Sequence, residues 1–344
     1  MDLKARITAF AELGNCFRDY TSQNQDNTNS EAFETVLIKA KVKNAWFTPE
    51  NSKMAFNAWA EQLTVSKLNE WLSPYQIEDS QPKRIGIIMA GNIPLVGFHD
   101  LLVVLITGNI ALVKMSSDDD VLMSFVLDKL IEIEPRFEER IIRVEKLEEP
   151  DAVIATGSNN TARYFEAYFG KYPNIIRKNR NSVAVLTGDE SDDEIKLLAD
   201  DLFQYFGLGC RNVTKLYIPE GFDLNRIFGN IMHYGELAYH NKYSNNYDYY
   251  RAIYMLNKEP FLENGFAVLR EHENIGSPVA IIHYAYYKNI EEVNETLNAL
   301  EDQLQCIVSG NGLIENSVSF GDSQKPGLAD YADNVDTVEF LLEL

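Results

Sequence analysis

Cys210 lies in the run Phe206-Gly207-Leu208-Gly209-Cys210-Arg211-Asn212-Val213. A cysteine thiolate is the side chain best suited to attack an acyl carbon near neutral pH. Gly207 and Gly209 let the backbone before it take angles other residues avoid and approach a ligand closely. The strand-like run 215–219 follows at once, so the thiol is presented at the entry to a strand. Inert packing is the alternative reading, because cysteine outside disulfides is among the most buried residue types. None of the five histidines, His99, His233, His240, His272 and His283, stands at metal-ligand or catalytic spacing with Cys210 in the sequence. No HExxH, phosphate-loop lysine or paired-carboxylate pattern occurs. Cys16, Cys210 and Cys306 are far apart, which suits a reducing cytoplasm and supports neither a disulfide framework nor structural zinc.

The elements that must position this cysteine follow from periodicity. Residues 1–80 read as a helical region, with Ile7, Phe10, Leu13 and Phe17 at helical spacing, a polar run at 23–30, and an aromatic-rich layer from Trp46 to Trp71. From residue 81 the pattern becomes strand alternating with helix. Apolar runs at 84–90, 110–115, 141–144 and 152–155 read as strands, and 101–106 and 121–133 as helices. Such alternation predicts an α/β fold with an open, largely parallel sheet, whose ligands lie beyond the carboxyl ends of the strands. Three loops stand at such ends: Gly91-Asn92-Ile93-Pro94, Lys114-Met115-Ser116-Ser117 and Thr156-Gly157-Ser158. The expected division is a dinucleotide-binding domain over 81–205, a catalytic domain over 206–310 and a C-terminal return over 311–344. Residues 243–254, rich in tyrosine and asparagine, read as a substrate-facing or interface loop.

The formal net charge of −21 argues against nucleic acid and anionic membrane surfaces as partners. An anionic cofactor must then be received by a local basic pocket. The polar N-terminal segment lacks an apolar signal core, and no apolar run is long enough to span a bilayer. The expectation is a cytoplasmic protein without membrane insertion.

These three loops and the Gly209-Cys210 loop, in this order and spacing, resemble the aldehyde dehydrogenase superfamily. More narrowly they resemble the acyl-CoA reductases related to the reductase component of the bacterial luminescence fatty-acid reductase, over residues 83–344. The segment Ser319-Phe320-Gly321-Asp322-Ser323-Gln324-Lys325-Pro326-Gly327-Leu328, with Asp330-Tyr331 and Asp336-Thr337 after it, carries the narrower likeness. The resemblance implies an aldehyde-dehydrogenase-like fold with a helical N-terminal region. It makes Cys210 the nucleophile that forms a thioester, and Asn92 a donor, with the nucleophile's own N–H, to the oxyanion. Such donors contribute about 2.7–4 kcal/mol each to the transition state. Asn92 read by itself is a turn-former before proline.

The same resemblance places Lys114, with Ser116 and Ser117 after it, at the adenosine ribose of a nicotinamide cofactor. Gly157 and Ser158 form the turn beneath that cofactor, ahead of a helix whose first N–H groups can receive phosphate. Glu273, before Ile275-Gly276-Ser277-Pro278, falls near the family's glutamate for the nicotinamide ribose. Relatives that prefer NAD often carry glutamate where Ser117 stands. Serine does not repel a 2′-phosphate, so NADPH is expected, with NADH as the second choice.

Where hydrolytic relatives carry a water-activating glutamate, the stretch 176–183 has no carboxylate and Arg177 stands near that place. Its three cations, Arg177, Lys178 and Arg180, either receive phosphates of CoA or cofactor or form a solvated basic turn. The implied activity is reduction of an acyl-CoA to the aldehyde through an acyl-cysteine, with CoA as leaving group. A cysteine acyltransferase or thioesterase without a redox step, and a non-catalytic subunit of an acyl-processing complex, are the alternatives. Homo-oligomerisation and an acyl-activating partner enzyme are the expected associations. The resemblance implies assembly through a C-terminal strand, for which 338–344 is the candidate, and packing of that apolar segment within its own monomer is the alternative.

Overall fold

The computed structural model describes residues 1–22, 28–78, 81–310 and 312–344. They form two compact units, residues 1–179 with 327–344, and residues 180–326. The division falls after Asn179, earlier than the expected boundary after residue 205. The helical N-terminal region belongs to the first unit.

That unit opens with α1 (Leu3–Thr21), α2 (Thr28–Lys43), α3 (Pro49–Gln62) and α4 (Val65–Leu72). Of the expected polar run at 23–30, residues 23–27 lie outside the described residues, and α2 already begins at Thr28. Local chemistry fixes the helix starts: the side chains of Asp2, Thr48 and Thr64 accept hydrogen bonds from backbone N–H groups in the first turns of α1, α3 and α4. Phe10, Leu13 and Phe17 of α1 are wholly buried. Phe17 meets Phe56 edge-on at 4.8 Å, and Phe10 meets Phe137 at 5.7 Å. Gly14 is required where α1 crosses the end of α3, since a Cβ there would lie 2.3 Å from the Leu63 carbonyl oxygen.

The sheet of the first unit follows, as β1 (Arg84–Ile88), α5 (Phe98–Ile106), β2 (Ile110–Lys114), α6 (Asp120–Ile133), β3 (Ile141–Arg143), β4 (Ala152–Thr156), α7 (Asn159–Phe169) and β5 (Asn174–Arg177). The strand order is β3-β2-β1-β4-β5 and every pairing is parallel. The inner strands are buried on both faces, which is why β1, β2 and β4 read as continuous apolar runs.

The second unit contains β6 (Asn181–Val185), α8 (Asp192–Phe203), β7 (Val213–Pro219), α9 (Asn225–Asn230), α10 (Asn241–Asn257), β8 (Leu262–Glu263), β9 (Val268–Glu271), β10 (Ile281–Tyr287), α11 (Ile290–Ala299) and β11 (Leu304–Ser309). Its strand order is β11-β6-β7-β10-β9-β8, parallel except for the β8–β9 pair. The chain then returns to the first unit and ends in α12 (Thr337–Leu342).

Two expectations are corrected here. Residues 243–254 form the body of α10, because Tyr243, Tyr247 and Tyr254 recur on one helical face and are buried. The C-terminal segment is a helix and no strand: Val338 and Leu341 are buried in their own unit.

Candidate active site

In the first unit, three sequence-predicted loops meet along one edge. Gly91-Asn92 follows β1, Lys114 to Ser117 ends β2, and Gly157-Ser158 follows β4, all at strand carboxyl ends. β1 lies between β2 and β4, where the strand order reverses direction, and that is where open parallel sheets receive ligands. A Cβ on Gly91 would come within 2.4 Å of Ser116 Oγ, so the first two loops touch only because residue 91 is glycine. Ser116 Oγ also accepts the Asp118 N–H at 3.3 Å, fixing the turn.

The Asn92 turn is held from behind by a residue the sequence reading missed. Leu95, at φ 59°, donates its N–H to the Asp119 carboxylate at 2.7 Å. Asp119 is only 2% exposed, and burial pushes its carboxyl well above the usual range. The run Asp118-Asp119-Asp120 is therefore not uniformly solvated. Its middle member is an internal brace.

Lys114 is half-buried and donates to the Glu145 carbonyl at 2.8 Å, while Ser117 is exposed. Ser158 caps α7, accepting the Thr161 N–H at 3.2 Å. Gly157 donates to the Arg177 carbonyl at 3.3 Å, and a Cβ on it would meet Phe165 and Thr161 at 3.0–3.1 Å. Two side-chain-free positions, a strand-end lysine and a capped helix start along one sheet edge suit a dinucleotide.

Within the cationic stretch, Arg177 departs from both readings, whereas Lys178 is solvent-exposed. Arg177 is 5% exposed, pairs with Asp100 at 2.6 Å and donates to Thr337 Oγ1 at 3.1 Å. Lys178 pairs with Glu166 at 2.9 Å. Arg180, in the second unit, donates to the Glu301 and Leu304 carbonyls. Arg177 and Arg180 are committed to the fold, while Lys178 stays at the surface in an exposed ion pair. His99 is likewise structural: its Nε2 donates to the Leu328 carbonyl at 2.9 Å, its ring lies among Trp59, Trp71 and Tyr331, and burial lowers its pKa.

In the second unit, the chain leaving α8 passes through Tyr205, Phe206 and Gly207 with φ of 53°, 61° and 73°. Left-handed backbone at two aromatic residues costs on the order of 1–3 kcal/mol each and persists only where the surroundings enforce it. The enforcing residue is Asn212, which is wholly buried. Its Nδ2 donates to the Asp201 and Gln204 carbonyls at 3.0 Å, and its Oδ1 accepts the Gly209 N–H at 2.8 Å. Ser182 of β6 donates its hydroxyl to the Cys210 carbonyl at 2.9 Å. Gly209 and Asn212 are thus buried beside an exposed Cys210. Cys210 is an exposed residue on a backbone tied down around it.

Glu273 is exposed at the end of a segment suspended from β7 and β10. Three successive carbonyls are each held by one side chain: Glu273 by Lys215 Nζ at 2.8 Å, Asn274 by His283 Nδ1 at 3.0 Å, and Ile275 by Thr214 Oγ1 at 2.7 Å. The Asn274 N–H donates in turn to His272 Nδ1 at 3.1 Å, and the two imidazoles stack at 4.5 Å. Lys215 is 3% exposed and burial lowers its pKa; burial also lowers that of His283 to about 4. A lysine and a histidine inside apolar strand runs were the available signal, since buried charge demands a partner.

Among the described residues, no group of three or more His, Cys, Asp or Glu side chains is placed to hold a metal ion. Among them, too, no helix is long and apolar enough to cross a membrane.

The two parallel-sheet units have the fold of the aldehyde dehydrogenases. The structure is similar to aldehyde dehydrogenase 21 from Physcomitrella patens, solved with succinate, at a TM-score of 0.68 and 12% identity, covering 100% of this chain and 84% of that one. An acetylating aldehyde dehydrogenase from Geobacillus thermoglucosidasius gives 0.61 and 10%, covering 96% and 84%. An indole-3-acetaldehyde dehydrogenase solved with NAD+ gives 0.66 and 12%, covering 93% and 76%. A search of curated proteins gave no match. The model of the family Acyl-CoA reductase (LuxC) matches residues 24–225, more than half of the 344-residue chain and inclusive of Cys210. The chain belongs to that family and is an oxidoreductase.

Proposed function

We propose that the protein reduces an acyl-CoA thioester to its aldehyde through a covalent acyl-cysteine on Cys210. The observation that carries this reading is the exposed Cys210 on a backbone fixed by Asn212 and Ser182. The Cys210 thiolate adds to the thioester carbonyl, a new S–C bond forms, and the oxyanion collapses with loss of CoA as its thiolate, which takes up a proton. Asn92 is the proposed side-chain donor to that oxyanion, in addition to the Cys210 N–H. When bound, NADPH supplies the hydride that reduces the acyl carbon. Cys210 then departs as thiolate and the aldehyde is released.

Lys114, Ser116, Ser117, Gly157 and Ser158 are the residues proposed to hold the adenosine and phosphate end of the cofactor, and Glu273 its nicotinamide ribose. The neutral, exposed Ser117 supports NADPH over NADH. Residues 176–183 offer no carboxylate to activate water, and Arg177 is locked to Asp100. That arrangement favours release to CoA or hydride over hydrolysis. A second copy of the chain and an acyl-activating enzyme that supplies the thioester are the partners that fit, in the cytoplasm.

The test is loss of NADPH absorbance by the purified protein over acyl-CoAs from acetyl to palmitoyl. Oxidation that depends on chain length and disappears in Cys210→Ala is the expected result. CoA release without oxidation of NADPH or NADH would replace the reductase with an acyltransferase.

A further inference from the structure

The segment 319–323 stands in the sequence as a signature without an evident role. In the structure it lies against the base of the Cys210 loop. Asp201, in the last turn of α8, is fully buried. Its two carboxylate oxygens accept the Gly321 N–H at 2.7 Å and the Ser323 N–H at 3.0 Å. The same residue's backbone carbonyl accepts Asn212 Nδ2 at 3.0 Å. Next to the nucleophile, Arg211 donates from Nε to the Ser323 carbonyl, and its terminal nitrogen lies 3.7 Å from Cys306 Sγ. Gly321, at φ 82°, permits the turn that brings both amides onto one carboxylate.

We infer that Asp201 and Arg211 are positioning residues for the nucleophile, bracing the Cys210 loop against residues 321–323. The inference rests on Cys210 as the nucleophile. Asp201 joins two structures through one residue: its side chain grips the signature segment and its carbonyl receives the amide that ties the loop. Arg211 closes the circuit from the other side, so a shift of 321–323 is transmitted to both flanks of Cys210. A carboxylate accepting two amides is a strong, directional tie.

Two measurements test this. In the unaltered protein, hydrogen exchange at the amides of Gly209, Gly321 and Ser323 should show matching protection, because they open together. In Asp201→Asn that protection should fall about tenfold at all three sites. The kcat should fall by about tenfold to a hundredfold, with the KM for NADPH unchanged. Arg211→Gln should move kcat in the same direction. Exchange at Gly209 that is independent of Gly321 and Ser323, or a kcat within about twofold of wild type in Asp201→Asn, would overturn the brace and leave the nucleophile reading intact. Turnover retained in Cys210→Ala would overturn the nucleophile reading while linked exchange still reported the brace.

Discussion

Lys215 Nζ lies 2.8 Å from the carbonyl oxygen of Glu273, so the strand entered just after Cys210 holds the segment proposed above for the cofactor ribose. The ammonium is buried and lies 5.0 Å over the Tyr217 ring. Lys215→Met preserves the stem and removes the donor, leaving a carbonyl without its partner. The expected cost in stability is about 1–3 kcal/mol. The KM for NADPH should rise several-fold while the KM for acyl-CoA and the rate of Cys210 alkylation stay near wild type. Equal changes in both KM values would show that Lys215 supports the unit as a whole and has no selective hold on Glu273.

Asp201 and His283 give opposite pH dependences to the same unit. Burial raises the Asp201 carboxyl to about 6, above its ordinary value of 3.8. The folded state then binds this proton more readily than the unfolded chain. The contribution is fully present below about pH 4 and is lost as pH rises through 6. Burial lowers His283 from 6.5 to about 4. Its contribution is present above pH 6.5 and is lost as pH falls through 4. Each is worth about 3 kcal/mol across its window, from 1.36 kcal/mol per pH unit. Denaturant titrations at several pH values should show His283→Gln gaining stability relative to wild type on acidification from 6.5 to 4. Asp201→Asn should lose stability relative to wild type over 6 to 4. A parallel response of the two variants would exclude the assignment.

Much of the first unit was legible because its signals are local. Apolar strand runs ending in Gly91-Asn92, Lys114 and Thr156-Gly157 mark the carboxyl edge of a parallel sheet directly, since strands buried on both faces must be continuous. The family likeness was legible for the same reason, as four loops in order. What stayed hidden depends on tertiary partners. Asp119, Asp201, Asn212 and Lys215 look like ordinary polar residues until burial shows that each holds a backbone group at a distance. The tyrosine-rich α10 was read as a loop because tyrosine and asparagine are modest helix formers; its buried face outweighs that propensity. The strand at the end of the chain came from the family resemblance, and Asp336 instead caps that segment as a helix.

Arg177 and Asp100 form a buried ion pair at 2.6 Å, and Thr337 joins it from the C-terminal return. Removing one member strands the other charge in an apolar setting, at a cost of about 3–5 kcal/mol. Arg177→Leu should therefore lower the thermal midpoint substantially, and Asp100→Asn should do so as well. If Arg177 acted as a phosphate receiver, the variant would keep its stability and lose affinity for CoA or NADPH. A melting curve beside the two KM values separates these outcomes.

Ser117 is exposed beyond the end of β2, three residues after Lys114. A carboxylate at this position accepts ribose hydroxyls and repels a 2′-phosphate, whereas a serine hydroxyl tolerates either. Asp118 is also exposed, but its N–H is drawn to Ser116 Oγ at 3.3 Å, which fixes the backbone between the two serines. Ser117→Glu should therefore add charge without disturbing the fold. The expected result is a rise in the KM for NADPH of about tenfold or more, about 1.4 kcal/mol of lost affinity, with the KM for NADH unchanged or lower. The melting temperature should stay within the small range of a surface substitution. Equal responses to both cofactors would remove Ser117 from the ribose site.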